Sequence, residues 1–142
     1  PALVMGGYFI QTGIFPDLRS FVLSLSFGLF TSTILFANEV PDFAEDKKSG
    51  KNNLVSVCGV EKAYLGYYML IASGLLSIFA ALALGYLGIV SILSLLIIFP
   101  AIKTGKILKN YYSDKLKLIS SSKITINIQM LSGMILILSL WL

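Results

Sequence analysis

Between Lys62 and Lys103 the chain carries no charged residue. A run of about forty uncharged residues, at about 1.5 Å of rise each, is about twice the length of one bilayer crossing. It reads as a hairpin of two membrane helices. The turn falls in residues 85–88, Gly-Tyr-Leu-Gly, where two glycines and an interfacial tyrosine coincide. That gives spans at residues 63–84 and 89–102, the second bent or ended by Pro100. A mean hydropathy of +0.86, with 56% hydrophobic and 13% charged residues, independently excludes an ordinary soluble domain.

Three further uncharged runs complete the pattern. Residues 1–15 are too short to cross a bilayer and read as the latter part of a longer span, since the chain opens without Met inside an apolar run. Residues 20–37 make a second span, in which Phe21, Phe27, Phe30 and Phe36 read as lipid-facing or packing surface. Residues 124–142 make a last one, ending in Trp141 as an interface anchor. The fold class is therefore all-α, a polytopic transmembrane bundle of about five spans, the first partial. Every lysine lies in residues 47–62 or in the basic loop 103–123. One hairpin separates those stretches, so they share a face, and the positive-inside rule makes it cytoplasmic. The net charge of +4 bears on topology and anionic headgroups, the membrane lipid being one partner, and does not point to nucleic acid. There is no His, which removes the usual general base and the usual zinc or haem ligand. Cys58 is single, reads as a small apolar residue, and has no partner for an internal disulfide.

Residues 38–54, NEVPDFAEDKKSGKNNL, hold four of the seven acids, Glu39, Asp42, Glu45 and Asp46, beside three lysines. Read as helix, Asn38, Asp42 and Asp46 are spaced four apart and share one face. Two carboxylates so stacked offer hard oxygen to one side of a Mg²⁺ that keeps waters or phosphate oxygens on the other. Pro41 suits the first turn of a new short helix, expected at residues 41–49, with acids early, lysines late and Gly50 at the exit. Lys51, Asn52 and Asn53 then form a polar loop able to wrap a phosphate. The spacing is not that of an EF-hand.

This run resembles the second aspartate motif of the UbiA superfamily of intramembrane prenyltransferases. Residues 6–13, GGYFIQTG, resemble a signature of the branch containing 1,4-dihydroxy-2-naphthoate prenyltransferases. The resemblance covers most of the chain but only the C-terminal half of such an enzyme. It implies a nine-helix fold with both aspartate motifs on the cytoplasmic side of a prokaryotic plasma membrane. It also implies Mg²⁺-dependent transfer of a prenyl group from a prenyl diphosphate to an aromatic, quinone-precursor acceptor, in menaquinone synthesis. On these residues it assigns Mg²⁺ to Asp42 and Asp46, with Asn38 as a weaker ligand. Diphosphate contact goes to Lys51 and then Lys48, and acceptor contact to Tyr8 and Gln11. From position alone, Gln11 and Thr12 serve equally as a helix cap near the headgroups or as cavity lining.

Two departures matter. Asn52-Asn53 stands where many members have Arg-Thr, which removes an expected cation. No first aspartate motif occurs in the sequence, so N-terminal helices carrying one are an expected partner, and the chain alone is expected to be inactive. The alternative is a non-catalytic membrane scaffold or transporter subunit, in which Gln11, Ser73, Gly74, Gly85 and Gly88 serve helix packing.

Overall fold

The computed structural model describes residues 1–141, so the last expected span is seen as far as Trp141. Six α-helices follow one another: α1 (Ala2–Thr12), α2 (Leu18–Lys48), α3 (Leu54–Cys58), α4 (Ala63–Ala83), α5 (Ile98–Asn110) and α6 (Lys115–Trp141). A 3-10 turn, Val60–Lys62, leads into α4, and a 3-10 segment, Ile89–Ile97, leads into α5. No strand occurs among the described residues. Four stretches are long and apolar enough to cross a membrane: Leu18–Lys48, Val60–Ala83, Ile89–Asn110 and Lys115–Trp141. With 11 residues, α1 is not. The protein is an all-α polytopic bundle.

Its centre is α2 against α4 and α6. Lipid tails are as apolar as leucine, so helices in a bilayer associate by close packing rather than by escape from water. The two glycines Gly66 and Gly74 of α4 make that packing possible. The buried rings of Phe36 and Phe30 on α2 lie over them. A Cβ at Gly66 would stand 2.7 Å from Phe36 Cζ, and one at Gly74 would stand 3.0 Å from Phe30 Cζ. Of the four phenylalanines, these two are packing residues, whereas Phe21 faces outward. Gly105 of α5 similarly admits the ring of Tyr68, whose hydroxyl donates to the Ile102 carbonyl at 3.3 Å.

Hydroxyls inside the bundle mostly return to their own helix. Ser24 donates to Phe21 O at 2.6 Å, Thr33 to Leu29 O at 2.8 Å, and Thr125 to Ser121 O at 2.8 Å. Each polar side chain is thereby satisfied without water and presents a small, smooth face to its neighbour. A few bonds cross between helices instead, as with Ser26 and Ser77 at 2.9 Å and Tyr67 and Thr125 at 3.2 Å.

The hairpin turn forms where the glycines place it. Gly85 takes φ +71 after α4, and the loop is pinned to α6 through Gly88, whose N–H donates to Ser139 O and whose carbonyl accepts from Ser139 Oγ, both at 2.9 Å. Asp17 caps α2, its Oδ1 accepting from Ser20 N at 2.8 Å and from Ser20 Oγ at 2.7 Å. Those bonds, the backbone one foremost, hold its carboxyl below the usual range. The cap is therefore complete above the ordinary carboxylate pKa and is lost as pH falls through the lowered one.

Three expectations are corrected. No separate helix starts at Pro41, because α2 continues through it to Lys48. Proline removes the N–H that would bond the Ala37 carbonyl four residues back. In this fold Ser122 Oγ of α6 donates to that carbonyl at 3.2 Å. Next, the basic loop expected at residues 103–123 is almost entirely helix. Leu118, Ser121, Thr125 and Ile128 are buried on one helical face, and Ser120 and Ser121 bond Lys117 O and Leu118 O at 2.6 Å, so α6 starts at Lys115. Finally, Pro100 does not end the span, which runs on through it to Asn110. It lies in the first turn of α5, where the winding changes from 3-10 to α. Ser91, Ser94 and Ile97 are the buried residues of the 3-10 segment, at the three-residue repeat of that winding.

Two measurements check this account. Ser122→Ala should lower unfolding stability in detergent by about 1 kcal/mol, and by clearly less in a Pro41→Ala background, where a backbone donor returns to Ala37 O. Gly66→Ala should cost about 1–3 kcal/mol by overpacking against Phe36.

Candidate functional site

Because α2 is continuous, Asn38, Asp42 and Asp46 occupy successive turns of one rigid helix. The chain reverses just beyond. Gly50 adopts φ +69 and Lys51 N donates to Asp46 O at 3.0 Å, which turns the Lys51 side chain back over the helix end. Lys51 Nζ then lies 3.1 Å from Asp46 Oδ1, and Asn53 Nδ2 donates to Asp46 Oδ2 at 3.1 Å. Both oxygens of Asp46 are engaged, and its side chain is only 18% exposed. Asn53 also caps α3 in a reciprocal box with Ser56, accepting from Ser56 N at 2.8 Å and donating its own N–H to Ser56 Oγ at 2.9 Å. Of the two asparagines that replace the family's Arg-Thr, Asn53 is thus structural, and Asn52 is exposed.

Asp42 is more open, at 56%. Its neighbour is Lys115 at the start of α6, 3.6 Å from Asp42 Oδ1 and 2.9 Å from both carboxylate oxygens of Glu45. This pairing puts the two lysine-bearing stretches at one end of the bundle, as their separation by a single hairpin requires. Sequence spacing carries no sign of the Lys115 contact, because the pair is 70 residues apart. A cleft of about 270 Å³ lies at this end of α2, lined by Phe43, Lys47, Lys51 and Asn52 among others; neither Asp42 nor Asp46 lines it, and Lys51, paired with Asp46, is the residue that joins cleft and aspartate. Lys47 is 5.9 Å above the Phe43 ring, one helical turn away, a spacing the sequence does contain. Lys48, the second lysine expected to meet a diphosphate, is exposed at the helix end and does not line the cleft.

The donors here are hard oxygens. Among the described residues, no group of three or more His, Cys, Asp or Glu side chains converges into a cage. Asp42 and Asp46 offer one side of a coordination sphere, which fits an ion such as Mg²⁺ that keeps its remaining positions for water and phosphate oxygens.

Tyr8 and Gln11 are not part of this arrangement. The chain turns at Gly13, and α1 runs antiparallel along the first half of α2, with Pro1 beside Gly28. Asp42 is about 36 Å further along α2 than its first residue, at about 1.5 Å per residue. Tyr8 instead lines a cavity of about 350 Å³ at the far end of the bundle, with Asp17, Arg19, Leu23 and Leu140, while Gln11 is exposed and outside it. Thr12 is a cap: its hydroxyl donates to Tyr8 O at 2.8 Å and accepts from Ile14 N at 3.1 Å.

Apolar crossing helices with carboxylates and lysines matched at one end define an integral membrane protein with an ionic site at the membrane surface. The chain belongs to the UbiA prenyltransferase family, whose model matches residues 1–127. No curated protein and no solved structure matches it. The family match takes in α1 to α5, the whole ionic segment and the first half of α6, and its members are prenyltransferases of the membrane.

The cleft geometry separates the lysines. On the expectation that the cleft takes a diphosphate, Lys51→Ala and Lys47→Ala should each weaken binding of inorganic pyrophosphate by about threefold to tenfold, and Lys48→Ala should leave it unchanged, measured by calorimetry on the detergent-solubilised protein.

Proposed function

We propose that the protein carries one wall of a Mg²⁺-dependent prenyltransferase site that passes a prenyl group from its diphosphate to an aromatic acceptor. One observation carries this reading. Asp42 and Asp46 stand one turn apart on a rigid helix as it leaves the apolar bundle, each faced by a lysine from a different segment. Paired carboxylates with matched cations suit a ligand that is a metal and a polyanion together.

In this reading Asp42 and Asp46 would hold Mg²⁺, with Asn38 one turn earlier as a weaker ligand or orienting group. Bound there, Mg²⁺ would offset the negative charge of the departing diphosphate. Lys51 and Lys47 take up the phosphate charge that remains, both lying on the cleft. The apolar faces of α2 and its neighbours keep water from the reacting allylic carbon. A second carboxylate-bearing segment, outside these residues, completes the clamp, and the chain alone does not turn over. The GGYFIQTG run favours 1,4-dihydroxy-2-naphthoate as acceptor, hence menaquinone synthesis. The lysine-rich end faces the cytoplasm of a prokaryotic plasma membrane.

The test is binding of a prenyl diphosphate with and without Mg²⁺. Asp42→Ala and Asp46→Ala should each weaken Mg²⁺-dependent binding by about 10- to 100-fold. Binding that ignores Mg²⁺, or survives both substitutions, removes the proposal.

A further inference from the structure

Lys115 breaks a local rule. It opens α6, where the helix dipole disfavours positive charge, and it is followed by Lys117 with no acid in the first turn. Asp114, just before it, caps this first turn and does not pair with Lys115: its Oδ1 accepts from Lys117 N at 3.2 Å and its Oδ2 lies 3.6 Å from Lys117 Nζ. What holds the Lys115 ammonium is the other helix, through Glu45 at 2.9 Å and Asp42 at 3.6 Å. A residue placed against its own helix and tied to a carboxylate assigned to metal binding is a candidate for function rather than stability.

We infer that Lys115 is a positioning residue: its ammonium is the resident counter-ion of the Asp42–Glu45 pair and competes with the divalent cation for Asp42. This rests on the reading of Asp42 as a metal ligand. With no cation bound, Lys115 neutralises the pair and ties the start of α6 to the end of α2. With a dication held at Asp42, the Lys115 ammonium would be repelled toward solvent or toward the phosphate. The side chains involved are 52–62% exposed, so the contest is close and the ammonium can be displaced. Cation binding is thereby coupled to release of the α6 start, two elements that are far apart in sequence.

The test uses Mn²⁺ as a paramagnetic stand-in for Mg²⁺, with the free ion read from its EPR signal in titrations of the detergent-solubilised full chain and no substrate present. Lys115→Met should bind Mn²⁺ about twofold to fivefold more tightly than wild type, and Lys115→Arg should restore wild-type affinity. Loss of a merely structural tie would loosen the site and weaken binding instead. Methionine binding that is unchanged or weaker, or arginine that fails to restore the wild-type value, overturns the inference while leaving the metal site in place. Asp42→Ala run in parallel distinguishes the two failures. If it binds Mn²⁺ as wild type does, or wild type binds none, the metal site itself is wrong and this inference falls with it.

Discussion

The bond from Ser122 Oγ to the Ala37 carbonyl is small, yet the site hangs on it. A bilayer supplies no water to an abandoned carbonyl, so a proline in a membrane helix is tolerated only where a neighbouring group takes the place of its missing donor. Ser122 does so at 3.2 Å. The result is that α2 emerges from the bundle unbroken and carries Asp42 and Asp46 on the same rigid element that packs against α4 and α6. Had Pro41 ended the helix, the two carboxylates would ride on a short, separately hinged piece.

The ionic end and the apolar middle are built by opposite economies. In the middle, most hydroxyls fold back on their own helices, glycines receive aromatic rings, and no charge needs a partner. At the end, acids and lysines are matched across three segments: the last turns of α2, the loop after it and the start of α6. Asp46 is fixed by two partners, whereas Asp42 shares one half-exposed lysine with Glu45. The two carboxylates are therefore unlike in readiness, although the sequence presents them as equivalent.

Much of this was legible in the chain. Uncharged runs gave the crossing helices because a bilayer imposes both length and apolarity, and two glycines marked the turn that closes the hairpin. The four-residue spacing of the aspartates survives intact in the fold. What escaped was everything decided between distant segments. Proline chemistry argued for a break at Pro41, and only the facing serine of α6 reverses it. The lysines of residues 103–123 suggested a loop, yet buried positions repeating along Leu118, Ser121 and Thr125 carry the helix through them. Lys115 looked like one headgroup lysine among several. Tyr8 and Gln11, given acceptor contact by the resemblance, lie with α1 at the end of the bundle away from the aspartates, a placement that the motif does not contain.

The 3-10 segment Ile89–Ile97 has a mechanical meaning. A 3-10 helix rises about 2.0 Å per residue against about 1.5 Å for an α-helix and advances about 20° further around its axis at each step. Rewinding its nine residues as α-helix would shorten the span by roughly 4–5 Å and swing α5 through about half a revolution. Ser91, Ser94 and Ile97 repeat at every third position on the buried side of this segment, which packs against α6. The winding of this short segment thus sets both how far along the span and at what rotation α5 begins.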